Sequence, residues 1–172
     1  MNATRRGIMG LCCLWLSGCG FHWHSQGIHF LFKTIFIQGS NNPTLTNAVL
    51  SQMASVAGVK VVTQRNAADL ILILTSLSET EQILTLDAQG SVSQYSLISR
   101  LNFRATDKNN QEVLVPSHVI ITRVFNYNDV EIFAKESEKM VIQTDMRHEL
   151  IMQMLEKLST VNPSLPIDLY GN

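Results

Sequence analysis

The sequence predicts an α+β domain with two layers, in which a mostly antiparallel or mixed sheet of about four strands carries two helices packed on one face. Segments with strand patterns occur early in the chain and again in its middle, and each group is followed by a segment with apolar residues at helical spacing. The chain has 172 residues, of which 45% are hydrophobic. This length suits one domain with a single hydrophobic core.

The first strand and the first helix are predicted from neighbouring segments. Phe30–Gln38 is rich in Phe and Ile and ends at a cluster of turn-forming residues, which is typical of a strand. Thr44–Ala57 has apolar residues at helical spacing, with Pro43 at its start and Gly58 just past its end. Val59–Thr63 then predicts a short extended segment.

The next strand is predicted from a continuous apolar run. Asp69–Leu77 is rich in Leu and Ile and too short for a membrane span, so it predicts a strand that is buried on both faces or nearly so. Residues 81–87 continue in extended form, and residues 88–91 predict a turn.

Two long strands joined by a short polar segment predict a β-hairpin. Ser93–Ala105 and Val113–Tyr127 flank the turn cluster Asp107–Asn110. Residues of the first strand that share its apolar face are Tyr95, Leu97, Leu101, Phe103 and Ala105. Its opposite face carries Ser96, Ile98, Arg100, Asn102 and Arg104. Pro116 in the second strand requires an edge position or a bulge.

The last element is helical. The segment from Val130 to about Leu158 contains no Gly or Pro, and its apolar stripe is clean in the second half and irregular in the first. Either one long helix or a short helix followed by a long one fits this pattern. Asn162 and Pro163 end it, and we expect the polar tail, residues 161–172, to be mobile.

Residues 1–18 have the layout of a secretory signal peptide. Met1–Arg6 is positively charged, Ile8–Leu16 is apolar but too short to span a bilayer, and small residues follow. The tetrad LSGC at residues 16–19 resembles the lipobox of bacterial lipoproteins, in which the cysteine thiol accepts a diacylglyceryl group. We therefore predict lipid on Cys19. The alternatives are an ordinary signal peptide that happens to end near a cysteine, and a buried apolar helix.

The mature chain would begin with a lipidated arm, residues 19–30, ahead of a single domain, residues 31–160. Gly20 stands where lipoproteins retained in the inner membrane typically carry Asp, so the lipobox resemblance implies the outer membrane. His22, His24 and His29 in the arm raise a metal hypothesis, but their spacing fits no compact zinc pattern and no acid accompanies them. We expect no metal and no cofactor beyond the covalent diacylglycerol and N-acyl chain on Cys19.

The charge and the motifs favour a binding or assembly role. The formal net charge is -1 and becomes -3 without residues 1–18, which gives no reason to expect nucleic acid as a partner. No nucleophile elbow, zinc-protease motif or phosphate-binding loop occurs in the sequence. His118 and His148 fit packing or surface positions better than a catalytic base, so we predict that the chain is not an enzyme.

Several short segments, in order, resemble the LptE family of lipopolysaccharide-assembly lipoproteins. They run from Cys19 to about Leu158, and each is weak alone. The matching segments are Cys19-Gly20-Phe21-His22, Pro43 to Leu50 with Gly58-Val59, Gly90 with Tyr95, Phe125, and Ala134-Lys135-Glu136-Ser137-Glu138. The resemblance implies a protein that plugs the lumen of the LptD β-barrel, helps that barrel to fold, and binds lipopolysaccharide during its insertion into the outer leaflet.

The resemblance also implies that basic residues bind the phosphates of lipid A. Lys135 stands in the matching stretch and is the first candidate. A position before the Gly90 turn tends to be basic in relatives, but here it is Ala88, so Arg100, Arg104 and Arg123 are further candidates. For each of these residues, a solvated surface position or a barrel contact is the alternative.

Two other classes of function stay open at this point. One is a periplasm-facing, lipid-anchored binding module or inhibitor that uses the same sheet for another ligand. The other is a lipid-anchored enzyme whose catalytic groups come together only in the fold.

Overall fold

The computed structural model describes residues 28–127 and 132–164. Its elements are β1 (Thr34–Gln38), α1 (Pro43–Ala54), β2 (Lys60–Val61), a single 3-10 turn (Arg65–Ala67), β3 (Leu70–Leu86), β4 (Val92–Thr106), β5 (Glu112–Asn126) and α2 (Ile132–Ser159). The signal peptide, Cys19, most of the arm and the tail from Leu165 lie outside the described residues, and the predictions made for them are untested.

The sheet has five strands in the order β2-β1-β3-β4-β5, which confirms the α+β prediction but corrects the expected number of about four. The added strand is β2, since Thr34 pairs with Lys60 and Ile35 with Val61 in parallel. β1 is also parallel to β3, whereas β3, β4 and β5 are antiparallel. A strand of two residues gives almost no periodicity, which is why the sequence predicted only an extended segment there.

The predicted hairpin is β4 and β5, and its predicted faces are confirmed. Leu97, Leu101 and Phe103 are buried, whereas Arg100 on the opposite face is exposed. Phe103 pairs with Ser117 and Ala105 with Leu114, so β5 has an extra residue at this point. Pro116 lies in this bulge on an edge strand, where its missing N–H breaks no ladder.

Both helices pack on one face of the sheet, as predicted. α1 begins after Asn42, whose side chain accepts a hydrogen bond from the backbone N–H of Leu45 at 3.1 Å, with Pro43 in the first turn. Leu45, Val49 and Met53 of α1 join the buried side chains of α2 in one core with the inward residues of the sheet. The buried residues of α2 are Met146, Leu150, Ile151, Met154, Leu155 and Leu158.

The core covers only one end of β3, whereas it continues along β4 and β5 to Leu97 and Phe125, which are 2% and 1% exposed. Leu70, Ile71 and Leu72 of β3 are fully buried, but every residue of β3 from Ser78 to Leu86 is exposed. In the same way α2 is one continuous helix whose buried residues begin only at Met146. The part of β3 from Ser78 to Leu86 therefore projects from the core with the β3–β4 turn, while the first half of α2 lies over Phe125 and buries few residues of its own.

Neither helix in the described part of the chain is long and apolar enough to cross a membrane.

Candidate functional site

Lys135, the first candidate for binding lipid A phosphate, lies near the start of α2 against the end of β5. Its Nζ is 5.7 Å from the centroid of the Phe125 ring, which is a cation–π distance. The same Nζ donates a hydrogen bond to Oε2 of Glu138 at 2.8 Å. Its side chain retains 20% of its exposure. The ammonium group is thus held in one place and is still open to solvent.

Ion pairs join α2 to the projecting part of β3. Nζ of Lys139 donates to Oε1 of Glu136 at 2.9 Å and to Oε2 of Glu81 at 3.3 Å. Arg147 donates to both carboxylate oxygens of Glu79, from Nε at 2.7 Å and from Nη2 at 2.9 Å. These contacts are charge-assisted, and the Arg147 pair is bidentate.

The carboxylate partners raise the pKa of both Lys139 and Arg147. The hydrogen bond to Glu136 raises the pKa of Lys139 above its ordinary value, with a further contribution from Glu81. The hydrogen bond to Glu79 raises the pKa of Arg147. Both side chains therefore stay charged throughout the physiological range. Ion pairs therefore join α2 to the exposed part of β3, whereas apolar packing joins the two elements to the rest of the core.

Large apolar side chains are exposed on the projecting part of β3 and on the first half of α2. Phe133 is 91% exposed, Val141 62% and Ile83 62%. The other members are Leu84, Leu86, Ile132 and Met140. We call these seven residues the apolar tip. Several large apolar side chains exposed on neighbouring elements point to a contact with a partner or a lipid. The sequence analysis did not single out this surface, although the irregular stripe in the first half of α2 was its signal.

The candidate arginines lie on two different faces of the sheet. Arg100 and Arg104 lie on the face that no helix covers, about 13 Å apart along β4. Arg123 lies on the helix-covered side, where it forms an ion pair with Glu149 of α2. Nη1 of Arg104 contacts Oε1 of Glu112 at 3.2 Å. The structure therefore brings none of the three into a cluster with Lys135.

Arg100 differs from the other two arginines. Within the described part of the chain, its side chain forms no hydrogen bond and no ion pair. It pairs across the sheet with Ser78 on one side and Ile120 on the other. Its guanidinium group is therefore available to an anion on the open face.

The open face of the sheet is mixed, since polar side chains share it with Ile98, Ile120 and Val124, of which Ile120 is 40% and Val124 54% exposed. Nδ2 of Asn102 donates to Oγ of Ser76 at 2.9 Å, and Nε2 of Gln94 donates to Oδ1 of Asn126 at 2.8 Å. The strand pairing places further polar residues on this face, namely Ser78, Thr80, Gln82, Ser96 and Thr122. Side-chain hydrogen bonds between neighbouring strands stiffen a surface that no helix covers.

No metal centre emerges from the described residues. Within residues 28–127 and 132–164, no three His, Cys, Asp or Glu side chains are arranged to hold a metal ion. Of the three arm histidines, only His29 is among these residues.

Comparisons with known proteins identify the family of this chain. A model of the family LptE, described as "Lipopolysaccharide-assembly", matches residues 32–158. The chain belongs to the LptE family. The LPS-assembly lipoprotein LptE of Pectobacterium atrosepticum is 28% identical over 160 residues, which cover 91% of this chain and 85% of the relative. The protein of the same name from Yersinia enterocolitica is 28% identical over 164 residues, which cover 90% and 75%.

Solved structures show the same fold. The solution structure of lipoprotein B from Nitrosomonas europaea matches with a TM-score of 0.71 at 23% identity, covering 81% of this chain and 90% of that one. The crystal structure of rare lipoprotein B from Shewanella oneidensis matches with a TM-score of 0.65 at 22% identity, covering 74% and 95%. Membership of the family confirms the predicted role as a non-enzymatic lipopolysaccharide-assembly lipoprotein of the cell envelope.

Proposed function

We propose that this lipopolysaccharide-assembly lipoprotein is anchored in the outer membrane by acyl chains on Cys19 and enters the lumen of the LptD β-barrel as its plug. There it assists the folding of the barrel and the insertion of lipopolysaccharide into the outer leaflet. The observation that carries the plug role is the open face of the sheet. Lumens of outer-membrane barrels are polar, and the rows of hydrogen-bonded polar side chains on this uncovered face, such as Ser76 with Asn102 and Gln94 with Asn126, suit contact with such a wall.

Lipopolysaccharide binding is assigned to Lys135 and the apolar tip. A lipid A molecule has phosphates at one end and acyl chains at the other, so its receptor needs a cation beside apolar surface. Lys135 is fixed by Phe125 and Glu138, and the exposed Phe133 lies in the same turn of α2. Arg100 on the open face is the next candidate, because no carboxylate in the described residues neutralises it.

Co-purification tests the plug proposal. After gentle detergent extraction, a large barrel protein should accompany this protein in about equal amount. Adding bulk and charge to the open face, with Ser78→Arg and Thr122→Arg together, should reduce recovery of the barrel. Asn47→Arg on the exposed side of α1 is the matched control and should leave recovery intact. A protein that emerges alone would favour a lipid-anchored binding module for another ligand.

Lipopolysaccharide binding tests the site. Lys135→Glu should weaken binding roughly tenfold or more, since it replaces a phosphate partner by a repelling charge. Lys60→Glu makes the same change on β2 and should bind like the unmodified protein. Equal affinity of the Lys135→Glu variant and the unmodified protein would remove Lys135 from the site.

A further inference from the structure

Cations without carboxylate partners gather at the end of the sheet where β1 and β3 begin, opposite the apolar tip. Lys33 and Lys108 line one open cavity of about 520 Å³. Lys108 also lines a neighbouring cavity together with Arg65. We call Lys33, Arg65 and Lys108 the cationic end.

Arg65 is held in position without being neutralised. Its Nη1 donates to Oε1 of Gln38 at 2.9 Å, and its Nη2 donates to Oδ1 of Asn110. Both partners are neutral amides. In contrast, five of the eight other Lys and Arg residues of the described chain form an ion pair with an acid. The paired cations are Arg104, Arg123, Lys135, Lys139 and Arg147.

Among the described residues, three acids lie at this end: Glu112 pairs with Arg104, and Asp69 and Asp107, which line the same cavity as Lys33 and Lys108, accept backbone hydrogen bonds. Oδ2 of Asp69 accepts hydrogen bonds from the N–H groups of Lys33 at 3.1 Å and Thr34 at 2.9 Å. Oδ1 of Asp107 accepts hydrogen bonds from two N–H groups of its own turn. Neither carboxylate forms an ion pair with a cation of this end in the described chain. With Arg104 and Glu112 paired to each other, Lys33, Arg65 and Lys108 exceed Asp69 and Asp107 by one positive charge, on a mature chain whose net charge is negative.

The chain enters the domain at this end. Ile28 is the first described residue, and Leu31, which is 63% exposed, lines the same cavity as Lys33 and Lys108. Only nine peptide units separate Cys19 from Ile28, so the anchor lies at most about 30 Å away. The opposite turn lies a further length of β4 away, about 50 Å for its 15 residues. The cationic end is therefore the end of the domain that the short tether from Cys19 enters.

We propose that the cationic end lies against anionic phospholipid head groups of the leaflet in which the acyl chains of Cys19 are inserted. Lys33, Arg65 and Lys108 contact the head-group phosphates, and Leu31 enters the interface. Juxtamembrane cations are attracted to a negatively charged leaflet, and the attraction is additive over several residues. The contact fixes the long axis of the sheet relative to the bilayer and directs the apolar tip away from that leaflet. The proposal rests on the lipid anchor proposed above but needs neither the barrel nor lipopolysaccharide.

Single-cysteine labelling tests this orientation, because Cys19 is the only cysteine after the signal peptide and would be acylated. Asn109→Cys puts a fluorophore in the β4–β5 turn, and Gln89→Cys puts it at the equivalent position of the β3–β4 turn. The two positions match, since each backbone N–H donates to the aspartate two residues earlier, at 2.8 and 2.9 Å. The lipidated protein is reconstituted in vesicles of phosphatidylcholine and phosphatidylglycerol with spin-labelled head groups, without lipopolysaccharide.

We expect stronger quenching at residue 109 than at residue 89. The difference should fall roughly fivefold or more with Lys33→Gln and Lys108→Gln together, and in high salt or in purely zwitterionic vesicles. Circular dichroism checks that the variants are folded.

Equal quenching at the two labels, or a difference that persists without phosphatidylglycerol, would overturn the proposal. A protein that fails to enter the vesicles at all would refute the anchor, and the proposal with it. Loss of barrel co-purification with the quenching pattern intact would count against the plug role alone.

Discussion

Asp69 shows how a single side chain fixes the register of the parallel strands. Its carboxylate accepts hydrogen bonds from the first residues of β1, and its own N–H donates to Oγ1 of Thr34 at 2.9 Å. Burial alone would raise the pKa of this carboxyl, but the hydrogen bonds from Thr34 and Lys33 and the charge of Lys108 bring it below its ordinary value of 3.8. The ionised form is therefore the one that stabilises the start of the sheet.

Asp69→Asn should lower the free energy of unfolding at pH 7 by about 0.5–1 kcal/mol, because the acceptor loses its charge at a solvent-exposed site. A carboxyl with a depressed folded-state pKa adds stability above its unfolded pKa and loses it as the pH falls through the folded value. The difference between the two proteins should therefore shrink as the pH drops below about 4. Urea unfolding at pH 7 and at successively lower pH measures this.

The control for this prediction is Asp145→Asn. Asp145 is exposed on α2, and its side chain makes no hydrogen bond or ion pair with the rest of the described chain. Its variant should match the unmodified protein at every pH. If Asp69→Asn were equally destabilising at pH 7 and in acid, the charge of Asp69 would have no part in the effect.

At the scale of elements, the two hairpin turns use the same chemistry in different surroundings. Asp87 and Asp107 each accept backbone hydrogen bonds from the residues two and four positions on. The third residue after each aspartate has a positive φ, 83° at Gly90 and 65° at Asn110. Asp87 is exposed at the projecting end, whereas Asp107 is buried beside the core. The two ends of β4 therefore provide a matched pair of turns.

Asp107→Ala should lower the global free energy of unfolding by about 1–2 kcal/mol, since it leaves two part-buried backbone donors beside the core without an acceptor. Asp87→Ala removes the equivalent bonds but should change the global value by less than about 0.5 kcal/mol, because the projecting hairpin opens without the core. Native-state hydrogen exchange should instead show faster exchange confined to residues near this turn. Equal loss of global stability in the two variants would mean that the hairpin and the core unfold as one unit.

Local patterns predicted the elements better than they predicted what the elements contact. The alternation from Tyr95 to Ala105 gave the correct faces of β4, because strand side chains alternate whatever the partner strand is. The separation of Arg123 from Arg100 needed the register of β5, which depends on the Asp107 turn and the Pro116 bulge. The assignment of Lys135 to lipopolysaccharide came from resemblance and stays a prediction.

The sequence pattern could not predict contacts between residues that are far apart in the chain. Arg147 and Glu79 are 68 residues apart in the sequence. The sequence of α2 or β3 alone predicts only a solvent-exposed charge at each position. β3 was predicted as a buried run followed by a separate extended piece, yet it is one strand of 17 residues that leaves the core halfway. Where the covering helix lies decides which half is buried, and only the tertiary fold contains that information.

On the scale of the whole molecule, the two ends of the long sheet differ in chemistry. Unpaired cations and the entry of the chain lie at one end, and exposed apolar side chains with paired charges lie at the other. β3 alone spans about 55 Å for its 17 residues. Such a separation lets one end stay at the leaflet that holds the anchor while the other reaches a ligand elsewhere.

Substitution of Phe133 tests ligand binding at the apolar tip separately from the stability of the fold. Because its side chain is 91% exposed, Phe133→Ser should change the free energy of unfolding by less than about 0.5 kcal/mol. If the tip buries acyl chains of lipopolysaccharide, the same change should weaken binding about tenfold, in line with the transfer free energy of a Phe side chain. Phe133→Leu keeps most of the apolar surface and should retain most of the affinity. Binding of labelled lipopolysaccharide, with urea unfolding in parallel, compares the three proteins. Unchanged affinity in Phe133→Ser would exclude Phe133 from the ligand contact and leave the exposed face of α2 to the barrel wall.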